Sequence, residues 1–396
     1  MFVFMVTSHL QAQTYQFSPY PDLWYNDIDG IRIGARLLGE VEGTFNDGPH
    51  RLDAGLWVGS KIPSNPVSYY FSITEPIKLI SDFDSEGNLQ LISLSRTGYA
   101  LHQIRLHKRW QKDFNELNFF ETSIYSSIEK NFEFEYRFDP DSWSSKWKKL
   151  IGIELKLSRK FESLRTQLEA VFFTEMDEGF NSFRIESKNA FNISKKTKLR
   201  ARVFLQSSTN NAYGEYHSYL WTSAPINWLQ TGFKRSFGII QESWVNDGLL
   251  SFSGGPNLRG YKNFKNDSHM QFETVYGINI EYKFPNPINS KIKQNQLVGD
   301  LVSFQSYMFI DVGAGFNENR YSKTFEIFLT PPTNKTGVLG NTGLGVQFSV
   351  NIPDHLGKDR GIFIRYDVPF WVSSPSNNES NLKFRNVLGI GAVFNF

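Results

Sequence analysis

The stretch QFETVYGINIEYKF, Gln271 to Phe284, alternates residue by residue between two kinds of side chain. Its even positions are Phe272, Thr274, Tyr276, Ile278, Ile280, Tyr282 and Phe284. Its odd positions are Gln271, Glu273, Val275, Gly277, Asn279, Glu281 and Lys283. A period of two places these sets on opposite faces of a β-strand, one greasy with aromatic ends and the other polar and charged. Helical spacing does not fit the pattern.

The same alternation recurs along the chain. Leu344, Val346, Phe348, Val350 and Ile352 form one face of a later run, and Ile362, Ile364, Tyr366, Val368 and Phe370 form another. The final run sets Leu388, Ile390, Ala392, Phe394 and Phe396 against Val387, Gly389, Gly391, Val393 and Asn395. Upstream, the runs at Ile31–Leu38, Phe132–Phe138, Ile151–Ser158 and Leu199–Gln206 behave alike. Such runs predict roughly sixteen strands, several longer than the usual five or six residues. Asn46-Asp47-Gly48 and Asn192-Ile193-Ser194 read as tight turns. Gln206–Asn227, Gly315–Gly337 and Val372–Asn381 read as long, polar, exposed loops.

Composition narrows the architecture. Of 396 residues, 16% are aromatic and 21% charged. A disordered chain lacks that aromatic load. No apolar run reaches the roughly 18 residues that a membrane helix needs, and the mean hydropathy of −0.37 is too polar for a helix bundle in lipid. The net charge of +2 offers no global field for nucleic acid. With no cysteine, disulfide scaffolds, thiolate metal sites and cysteine nucleophiles are excluded. Aromatic strands with charged opposite faces suit a transmembrane antiparallel β-barrel, in which one face of every strand meets lipid and the other lines a wet lumen. A soluble β-sandwich would instead pack its greasy faces together. Aromatics at strand ends, long strands and a C-terminal strand favour the all-β barrel. Its lumen would then carry Arg32, Arg36, Glu40, Glu154, Lys156, Arg165, Glu169, Arg200, Arg202, Arg365, Asp367 and Arg385, mixed in sign.

Residues 1–13, apolar to Leu10 and then Gln11-Ala12-Gln13, read as a signal peptide without a basic leader. Residues 14–28 form a short N-terminal segment, and 29–396 the barrel, whose first strand lies near Ile31–Val41. That organisation implies the outer membrane of a Gram-negative bacterium, with lipid and lipopolysaccharide as surroundings.

One loop is unusual. Ser251-Phe252-Ser253-Gly254-Gly255-Pro256-Asn257-Leu258-Arg259-Gly260-Tyr261 combines a double glycine, a proline and an arginine between apolar Leu258 and Gly260. Its glycines permit a compact tip. An arginine buried in such a tip needs a carboxylate, whereas in a solvated surface turn it needs none. The run Gly254, Gly255, Pro256, Asn257, Leu258, Arg259, Gly260, Tyr261 resembles the loop-tip motif of the BamA-type (Omp-eighty-five) superfamily of outer-membrane assembly and translocation barrels. Gly277 to Pro287 is similar to that family's next strand, with its lumenal Glu281. Phe309-Ile310-Asp311-Val312-Gly313 is similar to its F-x-D-x-G strand, and Gly391, Phe394 and Phe396 to its C-terminal signal. The resemblance implies that the loop folds into the lumen and that Arg259 docks on Glu281 and Asp311.

Members of that family usually carry periplasmic POTRA domains, for which this chain leaves no room. Periplasmic modules are therefore expected from partner proteins of the outer membrane or periplasm, or else the chain is a surface-antigen-type barrel fragment. Polypeptide insertion or translocation through a weak seam is the function the resemblance implies. The alternative is a non-catalytic anchor or scaffold barrel, alone in a complex or behind a fused enzyme. A third class, a diffusion channel, fits poorly with an inserted loop. No phosphate loop, dinucleotide fingerprint or zinc motif is present, so no cofactor, metal or catalytic group is expected. His102 and His107 are five apart and face opposite sides of one strand. His217 near Glu215 has no third group at a usable spacing.

Overall fold

The computed structural model describes residues 15–394 apart from 27–29, 42–49, 62–65, 83–84, 97, 113–116, 133–140, 195, 210, 221–254, 262–270, 296–297, 318–333, 354–358 and 376–378. Its strands are β1 (Tyr15–Asn26), β2 (Gly30–Val41), β3 (Arg51–Gly59), β4 (Val67–Pro76), β5 (Ser85–Arg96) and β6 (Tyr99–Trp110). Then come β7 (Phe119–Asn131), β8 (Lys148–Phe161), β9 (Leu164–Glu175), β10 (Asn181–Asn192), β11 (Lys198–Ser208) and the two-residue strands β12 (Ser218–Tyr219) and β13 (Gln271–Phe272). The last are β14 (Thr274–Phe284), β15 (Val302–Asn317), the short β16 (Asn334–Lys335), β17 (Leu339–Pro353), β18 (Asp359–Val372) and β19 (Val387–Phe394). One eight-residue helix, α1 (Pro287–Gln294), lies between β14 and β15, its N-terminus capped by the Asn286 side chain.

The sixteen long strands pair antiparallel with their sequence neighbours, β11 joining β14 and β15 joining β17 across the short pieces. Their sheet is a β-barrel. Among the described residues, β1 pairs with β2 and β19 with β18, and no ladder joins β1 to β19. One connection, the segment after β11, touches β7 through Tyr216 and Glu129 and also β18 through Arg259 and Asp367. The sheet therefore wraps around it.

The outer face is apolar and exposed. Ile33, Ile104, Ile124, Ile153, Phe172, Val203, Ile278, Ile310, Leu344 and Ile364 from ten different strands all face out. On a soluble protein an apolar surface this continuous would drive association, whereas hydrocarbon is its natural solvent. The inner face holds the charge, with Arg32, Lys148, Arg184, Asp311 and Asp367 all buried there. Oily residues do not pack against each other across two sheets, so the sandwich arrangement is excluded.

Three expectations from sequence change. Residues 15–26, read as part of a short N-terminal segment ahead of the barrel, form strand β1, paired with β2 over its whole length, so the sheet starts ahead of Ile31. Pro19 and Pro21 disguise it, because proline normally argues against a strand and is admitted only at an edge. Phe272 is not on the lipid face. The strand is interrupted at Glu273, and a slip of one residue reverses every side chain beyond it, so Phe272 is buried inside. The third concerns Gln206–Asn227, read as an exposed loop. β11 extends to Ser208, and Gly214, Glu215, Tyr216, Ser218, Tyr219 and Leu220 are buried in the lumen. The Asn46–Gly48 turn and most of the Phe132–Phe138 run lie outside the described residues.

Candidate functional site

The lumenal face of β14 is set by its alternation. Tyr276, Ile278, Ile280 and Tyr282 point outward, which turns Val275, Asn279 and Glu281 inward. On β15, outward Met308 and Ile310 likewise turn Tyr307, Phe309 and Asp311 inward. The register sets Asn279 opposite Asp311 and Gly277 opposite Gly313. This wall therefore carries acids at one level and a bare glycine pair at the next.

The loop tip rests on that bare area. A Cβ on Gly277 would lie 2.7 Å from the Pro256 Cβ, so only glycine admits the loop so close. A Cβ on Gly313 would meet the Tyr276 carbonyl of the neighbouring strand at 2.7 Å and the Leu258 side chain of the tip at 3.3 Å. The tip turns through Gly255 and Asn257, both with positive φ, the region that glycine and asparagine tolerate best. Asn279 donates from Nδ2 to the carbonyls of Pro256 (3.0 Å) and Asn257 (3.2 Å), fixing the turn to the wall. Leu258 and Tyr261 then enter an apolar cluster with Phe204, Tyr219, Leu220, Phe272, Val275, Leu339 and Val372. The Tyr261 hydroxyl lies 3.1 Å from both the Gly340 carbonyl, to which it donates, and Ser373 Oγ.

Arg259 is 2% exposed and is surrounded by acceptors. Its Nε and Nη2 donate to the two oxygens of Asp311 at 2.9 and 2.7 Å, a bidentate fork. Nη1 donates to Glu281 Oε1 at 2.9 Å and sits 3.5 Å from Asp367. The guanidinium also lies 3.7 Å over the Phe309 ring. Asn279 and Asn341 each donate to Asp311, at 2.9 and 2.8 Å, completing its shell. Arg365 bridges Glu281 (2.6 Å) and Asp367 (3.4 Å). Burial alone disfavours the Arg259 charge, but the Asp311, Asp367 and Glu281 carboxylates outweigh it and raise its pKa above the ordinary arginine value. The guanidinium stays charged, as a structural bolt.

Both partners expected for Arg259, Glu281 and Asp311, are therefore brought to it, and Leu258, Gly260 and Tyr261 line the same dock. A Cβ on Gly260 would lie 2.6 Å from Val372 Cγ1, so its smallness is also required. Gly254 and Phe396 lie outside the described residues, and Gly391 and Phe394 fall in β19. The sequence reading missed Asp367 as a partner of Arg259 and Arg365 as a second cation on the same carboxylates. Parity alone marked them as lumenal, without saying which level of the barrel they share.

It also missed a second dock. Glu215, fully buried, forms an ion pair with Lys148 of β8, which is 1% exposed. The same carboxylate accepts from the Ser144 N–H at 3.1 Å and from Asn131 at 3.3 Å. Tyr216 packs at a tilt against Phe173 and Phe180, and its hydroxyl joins that of Tyr99 in donating to Glu129. The clue in the sequence was Tyr213, Tyr216, Tyr219 and Leu220, a load of apolar surface unsuited to a solvated loop. His217, half-buried in the Glu215 limb, is desolvated there, which pushes its pKa down to about 4. Among the described residues no cluster of His, Asp and Glu has metal-binding geometry.

No family model matches the chain, and no curated protein matches it. Among solved structures, a BamA from Haemophilus ducreyi lacking POTRA domains 1–3 is 11% identical, covering 96% of this chain and 70% of its own at a TM-score of 0.47. A bacterial polysaccharide outer membrane secretin is 8% identical, covering 96% and 95% at 0.39. The copper transporter OprC is 11% identical, covering 96% and 56% at 0.38. The fold rests on the strand registers and the outward apolar face rather than on these likenesses.

Proposed function

We propose that this chain is a BamA-like barrel of a Gram-negative outer membrane that helps polypeptides insert into or cross that membrane, with periplasmic modules supplied by partner proteins. The observation that carries this reading is the seam. β1 and β19 each have one ladder neighbour among the described residues. Pro19 and Pro21 fall two apart on β1 and remove two backbone donors from one of its edges. Such an edge resists zipping shut yet still offers acceptors that can template an incoming strand. The lumen, crossed by two docked limbs of one loop, is a poor diffusion path.

The chain has no native cysteine, so the seam is testable cleanly. In proteoliposomes, the protein should accelerate folding of a small unfolded outer-membrane barrel. Ser18→Cys with Gly391→Cys, oxidised, should abolish the acceleration, and reduction should restore it. Undiminished acceleration with the seam locked would refute the mechanism. A second reading, an inert anchor or scaffold, draws on the loop being latched at both limbs. It predicts no acceleration by either form.

A further inference from the structure

At mid-height of the lumen, β6 to β9 and Tyr216 of the Glu215 limb line a cavity of about 250 Å³. Outward Ile104, Ile124 and Ile128 turn Gln103, Arg105, Tyr125 and Ser127 into it. The register sets Gln103 opposite Ser127 and Arg105 opposite Tyr125, so the four form two adjacent levels of one wall. Beside them the Tyr125 ring crosses the bare backbone of Gly152 on β8, where a Cβ would lie 2.4 Å from its Cζ. One face of the ring thus rests on the wall, which leaves the other to the cavity.

The charges around this cavity are already answered. Arg105 and Lys156 both bind Glu154, at 2.6 and 2.8 Å, and Glu129 accepts from the Tyr99 and Tyr216 hydroxyls. Two cations against two carboxylates leave no net charge for a ligand to balance. The neutral groups are not answered. The Gln103 amide and the Ser127 and Tyr125 hydroxyls make no hydrogen bond among the described residues, although Ser127 is only 3% exposed. An amide and a hydroxyl can each donate and accept, and such groups are costly to leave unmet.

We propose that this cavity binds a single neutral sugar residue, whose C–H face lies on the Tyr125 ring while Gln103 and Ser127 hold its hydroxyls. A pyranose has the required construction, an apolar face with hydroxyls at its edge that both donate and accept. An apolar ring would leave the amide and the hydroxyls unmet, and an ionised ligand would bring a charge without a counter-charge. The volume falls below the about 300–1,000 Å³ of drug-sized pockets, which suits one ring rather than a chain. Because Tyr216 lines the cavity, the sugar binds the docked limb alone and stabilises it there. The site needs no opening of the seam and stands apart from the reading above.

The test uses the full chain in a polyoxyethylene detergent, since sugar-headed detergents would compete. Saturation-transfer NMR is run with the methyl pyranosides of glucose, galactose and N-acetylglucosamine. At least one should bind, with the strongest transfer to its ring C–H protons, and neither glucuronate nor p-cresol at equal concentration should displace it. Gln103→Leu with Ser127→Ala should weaken that binding about ten-fold, the worth of one hydrogen bond, while heat-modifiable gel mobility stays that of the folded barrel. Tyr125→Ala should abolish it. Silence from all three pyranosides, displacement by either control, or unchanged affinity in the folded Gln103→Leu/Ser127→Ala variant would overturn the proposal. Competition by a disaccharide ending in the bound sugar would assign the site to the end of a glycan, and its exclusion to a free monosaccharide. The oxidised Ser18→Cys/Gly391→Cys protein should still bind, so loss of the seam mechanism and loss of this site give different results.

Discussion

The two limbs of the lumenal loop are fixed to the barrel wall by opposite electrostatics. In the Arg259 limb the loop brings the cation, and the wall brings Asp311, Glu281 and Asp367. In the Glu215 limb the loop brings the anion and the wall brings Lys148, supported by Asn131 and the Ser144 N–H. The first dock is a network with a bidentate fork, an aromatic face and two amide donors. The second is a single pair with a tyrosine–glutamate cluster beside it. Because the polarities differ, neither limb can settle in the other's place without leaving like charges together. The wall thereby sets which limb goes where.

Removing a wall partner should break the first dock most severely. Asp311→Ala leaves Arg259 buried without its fork, and takes the Asp311 acceptor from Asn341 and Asn279 as well. A cost of about 3–5 kcal/mol is expected, read as a lowered urea midpoint of the folded barrel. A midpoint like that of the wild type would mean the Arg259 limb is not a structural bolt.

Lys148→Met should cost about 3 kcal/mol, at the low end of that range, because Glu215 keeps Asn131 and the Ser144 N–H as donors. Pairing it with Glu215→Met sharpens the contrast. An isolated buried pair replaced by apolar groups is often neutral or stabilising, so the double variant should regain most of the loss. If the double variant is as weak as the single one, Lys148 and Glu215 do more than satisfy each other.

The smallest expected effect is one of pH. Burial holds the His217 pKa at about 4, below the unperturbed value of about 6.5. As pH falls, the undocked limb takes up a proton first. The docked limb is fully favoured above about pH 6.5, loses stability between there and about pH 4, and loses no more from this group below. Protease access to the 209–220 segment should increase between pH 7.5 and 5, and His217→Gln should flatten that increase. Equal access in both proteins would show that His217 does not tune the limb.

The contrast also shows what a sequence discloses. Glu281 and Asp311 are legible because each lies on a long alternating strand, where parity alone gives direction. Arg259 is legible because its glycine-rich surroundings are distinctive. Glu215 sits in Tyr-Gly-Glu-Tyr-His, where no periodicity reports direction and the partner Lys148 lies 67 residues away. β1 was hidden by Pro19 and Pro21, since proline normally argues against a strand. Phe272 was misplaced by an interruption of one residue, which leaves no trace in composition.

Placing one loop between two walls has a consequence for how the molecule is built. The partners of the Glu215 limb precede it in the chain, with Glu129 87 residues before Tyr216, while those of the Arg259 limb follow, with Ser373 112 residues after Tyr261. During vectorial emergence of the polypeptide, the first limb can be seated once β6–β9 have formed, but the second must wait until β18 has arrived. Contacts of such long range form slowly. The full network of this limb, with Asp367 on Arg259 and Ser373 on Tyr261, therefore works as a completion check, closed only when nearly the whole wall is in place.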